Sequence, residues 1–312
     1  MALHNASLPS LWVASYASPI YHLALVKSGS NYSLNTIWQT ADCGWNPGWL
    51  ELDKSTNTLY CLNEAYTLPN SGSLSSWSID STSQSYSEPS LLNNVTTDYG
   101  PVHGTIIAPN RLGLAHYAGG GASVWDTTNE SSLIRLQTFH YHISEPGPSP
   151  VLNFTLQSQS YPHGIFLDPT GKYVVLMDRG ADAIRSFRIG WDNRLLELDP
   201  HSVAPGNGPR HCAFVKGQEK TFIYVLGELT NSLHGFEVLY HPNETIGFQQ
   251  FYNDSTYQTG FGDGGPQDPR GLVIPAEIAS PSPTRSFSVQ GPILAVYMMA
   301  SRQTLLFLTL WI

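Results

Sequence analysis

The chain is 312 residues long, and only 12% of its residues are Asp, Glu, Lys or Arg, while Gly (27) and Pro (22) are abundant. This composition lacks the Ala, Glu and Lys that long helices require, and it is typical of many short strands joined by turns. The formal net charge of −9 and the lack of any run of Lys or Arg exclude a nucleic acid as partner.

The predicted elements begin with "LWVASYASPIYHLALV", which fits the second and third strands of a module whose first strand is missing. Each of four later segments contains a proline, an alternating apolar strand, a polar turn, a second strand and a polar tip. These segments are 46–64, 100–118, 161–180 and 208–228, and a third strand follows them near 72–79, 121–127, 182–189 and 231–238. The sequence therefore predicts one β-module that is used several times.

The lead prolines give the spacing of these modules. Pro47, Pro101, Pro162, Pro209 and Pro275 lie 54, 61, 47 and 66 residues apart. Repeats of about 40 to 50 residues with several strands each, lengthened by loop insertions, are typical of propeller blades. A β-sandwich or barrel is the alternative, but it has no reason to repeat the same order of proline, strand, turn, strand and tip. The predicted fold class is all-β, and the architecture a β-propeller.

A propeller also predicts where the chemistry lies. Its innermost strands surround a central channel, so residues just after each lead proline are expected to converge at one mouth of that channel. In this chain those residues are His103, His163, Arg210, His211 and Glu277.

Three later segments, "PHGIFLDPTGKYVVLMDRGAD", "GNGPRHCAF" and "YVLGELTNS", resemble the seven-bladed lactonase-type propellers. That family groups bacterial 6-phosphogluconolactonase with the fungal 3-carboxy-cis,cis-muconate lactonizing enzyme. The earlier "LWVASYAS", "CGWNPGWLELD" and "TLYCLNE" are more similar to the fungal branch, and the resemblance covers about residues 10 to 278. It implies an enzyme without metal or cofactor that binds a small anionic substrate, a carboxylate or a lactone, at the channel mouth.

The resemblance also implies roles for three residues. The histidine of the PH motif is His163, the arginine of GPRH is Arg210, and the glutamate of GEL is Glu228. Histidine titrates near neutrality, so His163 is the expected proton-transfer residue. Glu228 is expected to fix the imidazole tautomer or to act as a partner base, and Arg210 to bind a substrate carboxylate or phosphate. A salt bridge between Arg210 and Glu228 without a catalytic role is the structural alternative.

Three further residues are predicted to bind substrate. His103 holds the module position equivalent to His163, His211 follows Arg210, and Arg179 lies in a polar tip. Three histidines around one channel could instead bind a metal, but the chain has no HExxH or other tight ligand spacing. A later family arginine, expected after a PAEI-like strand, has no matching position.

The C-terminal segment departs from the family pattern after "IPAEIASP". Residues 292–312 form an apolar segment in which Arg302 is the single charge, and Arg302 with Gln303 near its centre disfavours a membrane span. We therefore predict an incomplete propeller of about five to five and a half blades over 1–291 and an anomalous apolar tail over 292–312. A shortened propeller exposes sheet edges, so we expect impaired folding and activity for such a chain.

Cysteines and glycosylation acceptors indicate whether the protein is secreted or cytoplasmic. Cys43, Cys61 and Cys212 are odd in number and lack CxxC spacing, which excludes a disulfide framework but leaves one Cys43–Cys61 bridge open. No basic segment followed by an apolar core begins the chain, so no secretion signal is recognised. An excess of N-x-Ser/Thr acceptors nevertheless favours a glycosylated, secreted lineage, with a Ser-rich cytoplasmic protein as the alternative. The seven acceptors are Asn5, Asn31, Asn94, Asn129, Asn153, Asn243 and Asn253.

Together these features predict a cofactor-free cycloisomerase that closes 3-carboxy-cis,cis-muconate to its lactone, with His163 in proton transfer and Arg210 on a substrate carboxylate. The first alternative is a lactone hydrolase of the 6-phosphogluconolactonase type. The second is a secreted propeller glycoprotein without turnover, which would tolerate replacement of His163 and Glu228.

Overall fold

The computed structural model describes residues 10–16, 19–65, 71–79, 88–144, 157–256, 274–279, 295–299 and 307–309. All regular structure within these ranges is β, which confirms the class predicted from composition. The acceptors Asn5 and Asn153 and the pair Arg302 and Gln303 lie outside the described residues.

The described strands are grouped into six sheets. The first contains β1 (Ser10–Ala14), β2 (Ile20–Ser28) and β3 (Asn31–Thr40), and the second β4 (Pro47–Asp53), β5 (Thr58–Asn63), β6 (Gly72–Ser78) and β7 (Ser90–Thr97). The third contains β8 (Pro101–Ala108), β9 (Arg111–His116), β10 (Gly121–Asp126) and β11 (Ile134–His140). The fourth contains β12 (Pro162–Leu167), β13 (Tyr173–Asp178), β14 (Ala183–Ile189), β15 (Leu195–Glu197) and β16 (His201–Ser202). The fifth contains β17 (Pro209–Lys216), β18 (Thr221–Gly227), β19 (Ser232–Tyr240) and β20 (Ile246–Ser255), the sixth β21 (Ile274–Ala279) and β22 (Ala295–Met299), and β23 (Phe307–Thr309) belongs to the first.

The repeated module is confirmed, and it has one strand more than the sequence predicts. In the second and fifth sheets each strand pairs antiparallel with the next in the chain, and the outermost strands are β7 and β20. Most side chains of these outer strands are exposed or half-buried. Such a strand lacks strict apolar alternation, which is why the pattern did not reveal it.

The first sheet has the order β23-β1-β2-β3. β23 pairs antiparallel with β1, with Trp12 opposite Thr309 and Val13 opposite Leu308. The backbone of Phe307–Thr309 therefore occupies the position of the first strand that the N-terminal module lacks in sequence. The boundary between 291 and 292 stays a prediction.

The chain divides into two compact units, residues 1–104, 126–134 and 304–312 in one and 105–125 and 135–303 in the other. In the first unit the core lies between the first two sheets and includes Trp12, Leu50 and Trp77. The sequence left a Cys43–Cys61 disulfide possible, and the structure contains it within that core.

The second unit has an apolar cluster on each face of its fourth sheet. Val174 and Leu176 of β13 pack with residues of the third sheet, whereas Val175 and Met177 pack with the fifth. Because both faces are covered, β13 is apolar at successive positions and fully buried, as strands enclosed between two layers are.

Candidate functional site

A β-bulge occurs at the start of the first strand in several sheets. The register shifts between Pro162 and Gly164 in β12, between Pro209 and Cys212 in β17, and between Pro275 and Glu277 in β21. A bulge adds an unpaired residue that bends the strand and re-aims its side chain. The residues after the lead prolines are therefore released from regular alternation, which lets them meet side chains of the next sheet.

Three of these side chains form one line of hydrogen bonds in the second unit. Nδ1 of His163 lies 3.1 Å from Nε2 of His211, and Nδ1 of His211 lies 2.8 Å from Oε2 of Glu277. His211 is 1% exposed, whereas His163 and Glu277 are half-buried. The predicted convergence after successive lead prolines is thus observed for His163, His211 and Glu277.

Glu277 carries negative charge in this arrangement. Burial by itself would raise the pKa of its carboxyl, but the His211 imidazole and the Arg210 guanidinium outweigh burial and lower that pKa. The carboxylate beside the imidazoles is consequently ionised at neutral pH. Sequence reasoning placed Glu277 at the channel mouth but gave it no role.

A second cluster contains two arginines that share one carboxylate. Nε of Arg179 lies 2.9 Å from Oε1 of Glu228, and Nε of Arg210 lies 3.2 Å from Oε2. All three side chains are at least nine-tenths buried. The salt bridge between Arg210 and Glu228, predicted as the structural alternative, is present. Glu228 therefore binds arginines, and the carboxylate hydrogen-bonded to a site imidazole is Glu277.

One nitrogen of the arginine cluster lacks a hydrogen-bond acceptor. Within the ranges that the structure describes, Nη1 of Arg210 is buried and has no hydrogen-bond partner. A buried guanidinium nitrogen without an acceptor costs free energy, and an anionic oxygen at that position would remove the cost. This nitrogen is therefore a candidate position for an acceptor oxygen.

Tyr117 joins the two clusters. Nη1 of Arg179 donates to its hydroxyl at 2.8 Å, and its ring stands edge-on to His163 with centroids 5.4 Å apart. Burial raises the pKa of Tyr117 to about 12, so its hydroxyl stays protonated at neutral pH. Tyr117 has no distinguishing signal in the sequence beyond its place in a polar tip, the same place that Arg179 and Glu228 hold in their modules.

Two buried aspartates hold the backbone around the arginines. Asp178, next to Arg179, accepts hydrogen bonds from the hydroxyl of Ser160 at 2.5 Å and from Nε of Arg185 at 2.9 Å. Asp182 accepts from the backbone N–H groups of Gly206 and Gly208, which precede Arg210. Asp182 lies in the turn between β13 and β14, and its carboxylate orders the loop that leads to Arg210.

The remaining predicted residue, His103, lies in the first unit. It is 2% exposed, and its ring contacts the ring of Trp49 with centroids 3.9 Å apart. The other five predicted site residues lie in the second unit. The predicted role of His103 in substrate binding stays a prediction.

The described part of the chain contains neither a metal-binding cluster nor a membrane-spanning helix. No group of three or more His, Cys, Asp and Glu side chains there is arranged to hold a metal ion. No helix there is long and apolar enough to cross a membrane.

Comparison with known proteins establishes the family. A family model described as a lactonase with a seven-bladed β-propeller matches residues 10–279. The chain therefore belongs to the lactonase family of seven-bladed β-propellers, and the predicted fold class and family are confirmed.

Two curated relatives carry lactonase names. A probable 6-phosphogluconolactonase of Arthroderma benhamiae is 30% identical over 218 residues, which are 69% of this chain and 52% of the relative. The 6-phosphogluconolactonase of Bacillus subtilis is 29% identical over 199 residues, 63% of this chain and 52% of the relative. The chain thus spans about half the length of these relatives.

Solved structures agree on the fold. The periplasmic gluconolactonase of Pseudomonas aeruginosa has a TM-score of 0.70 and 22% identity, with 94% of this chain and 76% of that chain covered. A Lactobacillus plantarum protein has a TM-score of 0.70 and 20% identity, with 93% of this chain and 75% of that chain covered. At these identities the structures show a common architecture.

Proposed function

We propose that the protein hydrolyses the lactone of an anionic sugar, as a 6-phosphogluconolactonase does. One observation carries this proposal: Arg210 is buried, it shares the Glu228 carboxylate with Arg179, and its Nη1 has no partner among the described residues. A phosphate oxygen is the acceptor that suits a guanidinium best. The names of both curated relatives support the same substrate class.

His163, at one end of the hydrogen-bonded line with His211 and Glu277, supplies the reactive group beside the proposed anion site. Tyr117 contacts both Arg179 and His163, so a substrate bound through its phosphate would extend past Tyr117 towards the imidazole. His163 removes a proton from water while the water oxygen bonds to the lactone carbonyl carbon. When the ring C–O bond breaks, the imidazolium returns that proton to the ring oxygen, and a hydroxy acid is released.

An assay with 6-phosphogluconolactone, gluconolactone and 3-carboxy-cis,cis-muconate as substrates tests this function. We expect the full chain to hydrolyse 6-phosphogluconolactone above its spontaneous rate, with a kcat/KM about tenfold to a hundredfold higher than for gluconolactone without phosphate. His163→Gln should lower kcat about a hundredfold or more, because a positioned acid–base group contributes that much. Glu237→Gln is the matched control, since Glu237 forms an exposed ion pair with Lys220.

Two results would overturn the proposal. A folded chain that leaves both lactones at their spontaneous rates has no such activity. Consumption of 3-carboxy-cis,cis-muconate in place of lactone hydrolysis would instead establish the cycloisomerase, in which Arg210 binds a substrate carboxylate and His163 delivers a proton to carbon.

We also infer that the chain is N-glycosylated and matures in an oxidising compartment. Every acceptor asparagine within the described ranges is exposed, namely Asn31, Asn94, Asn129, Asn243 and Asn253. Three of them lie on the outer strands β3, β7 and β20, where a glycan meets no neighbouring strand. The buried Cys43–Cys61 disulfide supports the same route, because such bridges persist where thiols are not kept reduced.

Glycan mapping after expression through a eukaryotic secretory pathway tests that inference. We expect enzymatic deglycosylation to convert these five asparagines to aspartate, as detected by mass spectrometry. Asn35 is the internal control, because it is exposed on the same strand as Asn31 but is not followed by the acceptor pattern. Secreted protein without modification at any of the five would contradict the inference, and a glycosylated, folded, inactive protein would favour the non-catalytic scaffold.

A further inference from the structure

Two hydrogen bonds, one between Glu277 and His211 and one between His211 and His163, determine which imidazole nitrogens carry protons. An ionised carboxylate only accepts, so Nδ1 of His211 must donate to Oε2 of Glu277 at 2.8 Å. A neutral imidazole has one N–H, so Nε2 of His211 is then an acceptor.

The second hydrogen bond transmits this choice to His163. Nε2 of His211 lies 3.1 Å from Nδ1 of His163, and an acceptor at that distance requires Nδ1–H of His163 as the donor. The proton of neutral His163 then lies on Nδ1, and the lone pair lies on Nε2. His211 is 1% exposed and sits on the bulged start of β17, so solvent does not compete for its nitrogens.

We propose that Glu277 and His211 are positioning residues that hold His163 protonated at Nδ1, so that its Nε2 is the base that activates water. This inference rests on the proposed lactone hydrolysis and adds two residues to it. Neither residue needs to touch the substrate, because their effect passes through the two hydrogen bonds.

The groups around Glu277, His211 and His163 support this assignment of the His163 tautomer. Arg210 and His211 both lower the pKa of the Glu277 carboxyl against the effect of burial, so Glu277 is an acceptor at neutral pH. The ring of Tyr117, whose hydroxyl is protonated, lies beside His163, and the ring of Phe166 lies beside His211. Burial raises the pKa of the nearby Cys212 thiol, so that group adds no competing negative charge.

A double-mutant cycle tests the line through kinetics. Glu277→Gln keeps the side-chain shape but removes the fixed acceptor, because an amide can donate or accept. We expect kcat to fall about tenfold or more while KM changes less than about threefold, as for a lost interaction of about 1.4 kcal/mol made only during reaction. The acidic limb of the pH profile of kcat/KM should move to lower pH, because a nearby negative charge that favours the imidazolium is lost.

His211→Gln is the variant that separates positioning from general stability. The amide oxygen of Gln can accept from Nδ1 of His163 without help from Glu277. We expect His211→Gln to retain about tenfold more kcat than His211→Leu, and the effect of Glu277→Gln to disappear in the His211→Gln background. Equal losses in both backgrounds would overturn the inference. Glu237→Gln controls for removal of a carboxylate elsewhere in the second unit.

The tautomer itself is measurable without substrate. In protein labelled with ¹⁵N-histidine, long-range ¹H–¹⁵N correlations distinguish a protonated nitrogen from one with a lone pair, and His163→Gln assigns the signals. We expect Nδ1–H for His163 in the wild type and a mixture of tautomers in Glu277→Gln.

The two measurements keep this inference apart from the proposed function. Nε2–H on His163 in the wild type overturns the positioning role whether or not the chain hydrolyses lactones. The expected tautomer together with an inactive, folded chain supports the positioning role and overturns lactone hydrolysis.

Discussion

At the scale of single residues, the ion pairs of Arg210 are the basis for proposing it as the anion-binding residue. Arg179 and Arg210 are both within 3.2 Å of the Glu228 carboxylate, and the ionised Glu277 also interacts electrostatically with Arg210. Buried charge of one sign is costly unless it is paired. Both arginines are paired in this way, but the buried Nη1 of Arg210 lacks an acceptor among the described residues, and this is the atom that we propose binds an anionic substrate.

Replacing Arg210 by lysine tests this explanation. A lysine ammonium cannot bind Glu228 and a phosphate with one planar fork, so we expect KM for 6-phosphogluconolactone to rise about tenfold or more. KM for gluconolactone without phosphate should change little. The measurement is steady-state kinetics on both lactones, with Arg188→Lys as control because Arg188 forms an exposed ion pair with Glu244. Equal increases on both lactones would contradict a role for Arg210 in recognising the phosphate.

At the scale of strands, the bulged start of β12 packs closely against the start of β17. A Cβ atom on Gly164 would lie 2.8 Å from the backbone oxygen of Arg210 and 2.9 Å from Cδ2 of His211. Both distances are shorter than contacts between real Cβ atoms and their neighbours. The absence of a side chain at Gly164 therefore lets the strands that hold His163 and His211 approach each other.

Gly164→Ala is expected to separate these strands. The free energy of unfolding should fall by about 1 to 3 kcal/mol, as it does when a packed interior is overfilled, and kcat should fall because the hydrogen bond between the two imidazoles lengthens. Thermal unfolding and kinetics check both effects. Gly190→Ala is the control, since its nearest contact would be Oδ1 of Asp192 at 3.1 Å, the end of an exposed side chain. Unchanged stability and activity in Gly164→Ala would show that β12 has room to move.

At the scale of the whole molecule, buried histidines and tyrosines set the pH range of stability. Burial lowers the pKa of His22 to about 4 and also lowers the pKa of His201 and His234. In the unfolded chain a histidine has a pKa of about 6.5, so at lower pH the unfolded chain binds protons that the folded chain does not. The free energy of unfolding is therefore expected to decrease as pH falls from about 6.5 to about 4.

The alkaline side behaves in the opposite sense. Burial raises the pKa of Tyr60 and Tyr117 to about 12. The phenols of the unfolded chain ionise near pH ~10, so stability is lost as pH rises from about 10 to 12. The most stable range should therefore lie between about pH 7 and pH 9.

His22→Phe isolates one of these contributions. His22 stacks on Trp12 with ring centroids 4.0 Å apart and planes 7° from parallel, and a phenyl ring can keep that stacking. We expect calorimetry between pH 4 and pH 8 to show a weaker loss of stability with acid, by up to about 3 kcal/mol at pH 4. The same slope in the variant and the wild type would show that His22 does not contribute to it.

The sequence by itself determined the class of the protein and the strands on which several candidate site residues lie. Proline, strand, turn, strand and tip recur in fixed order, and short-range patterns of this kind specify strands because side chains alternate with a period of two. The lead prolines do begin β4, β8, β12 and β17, and the motifs around His163, Arg210 and Glu228 identified the lactonase family.

Only the tertiary structure decided which of these side chains meet. Glu228 was expected beside an imidazole, but it binds Arg179 and Arg210, and Glu277 takes the place beside His211. A bulge re-aims a side chain, but the alternation of apolar and polar residues in the sequence does not show where the bulge lies. Partners on different sheets are also separated by tens of residues in the chain. Contacts such as the one between His211 and Glu277 are fixed by how whole sheets pack, and a local pattern carries no information about that packing.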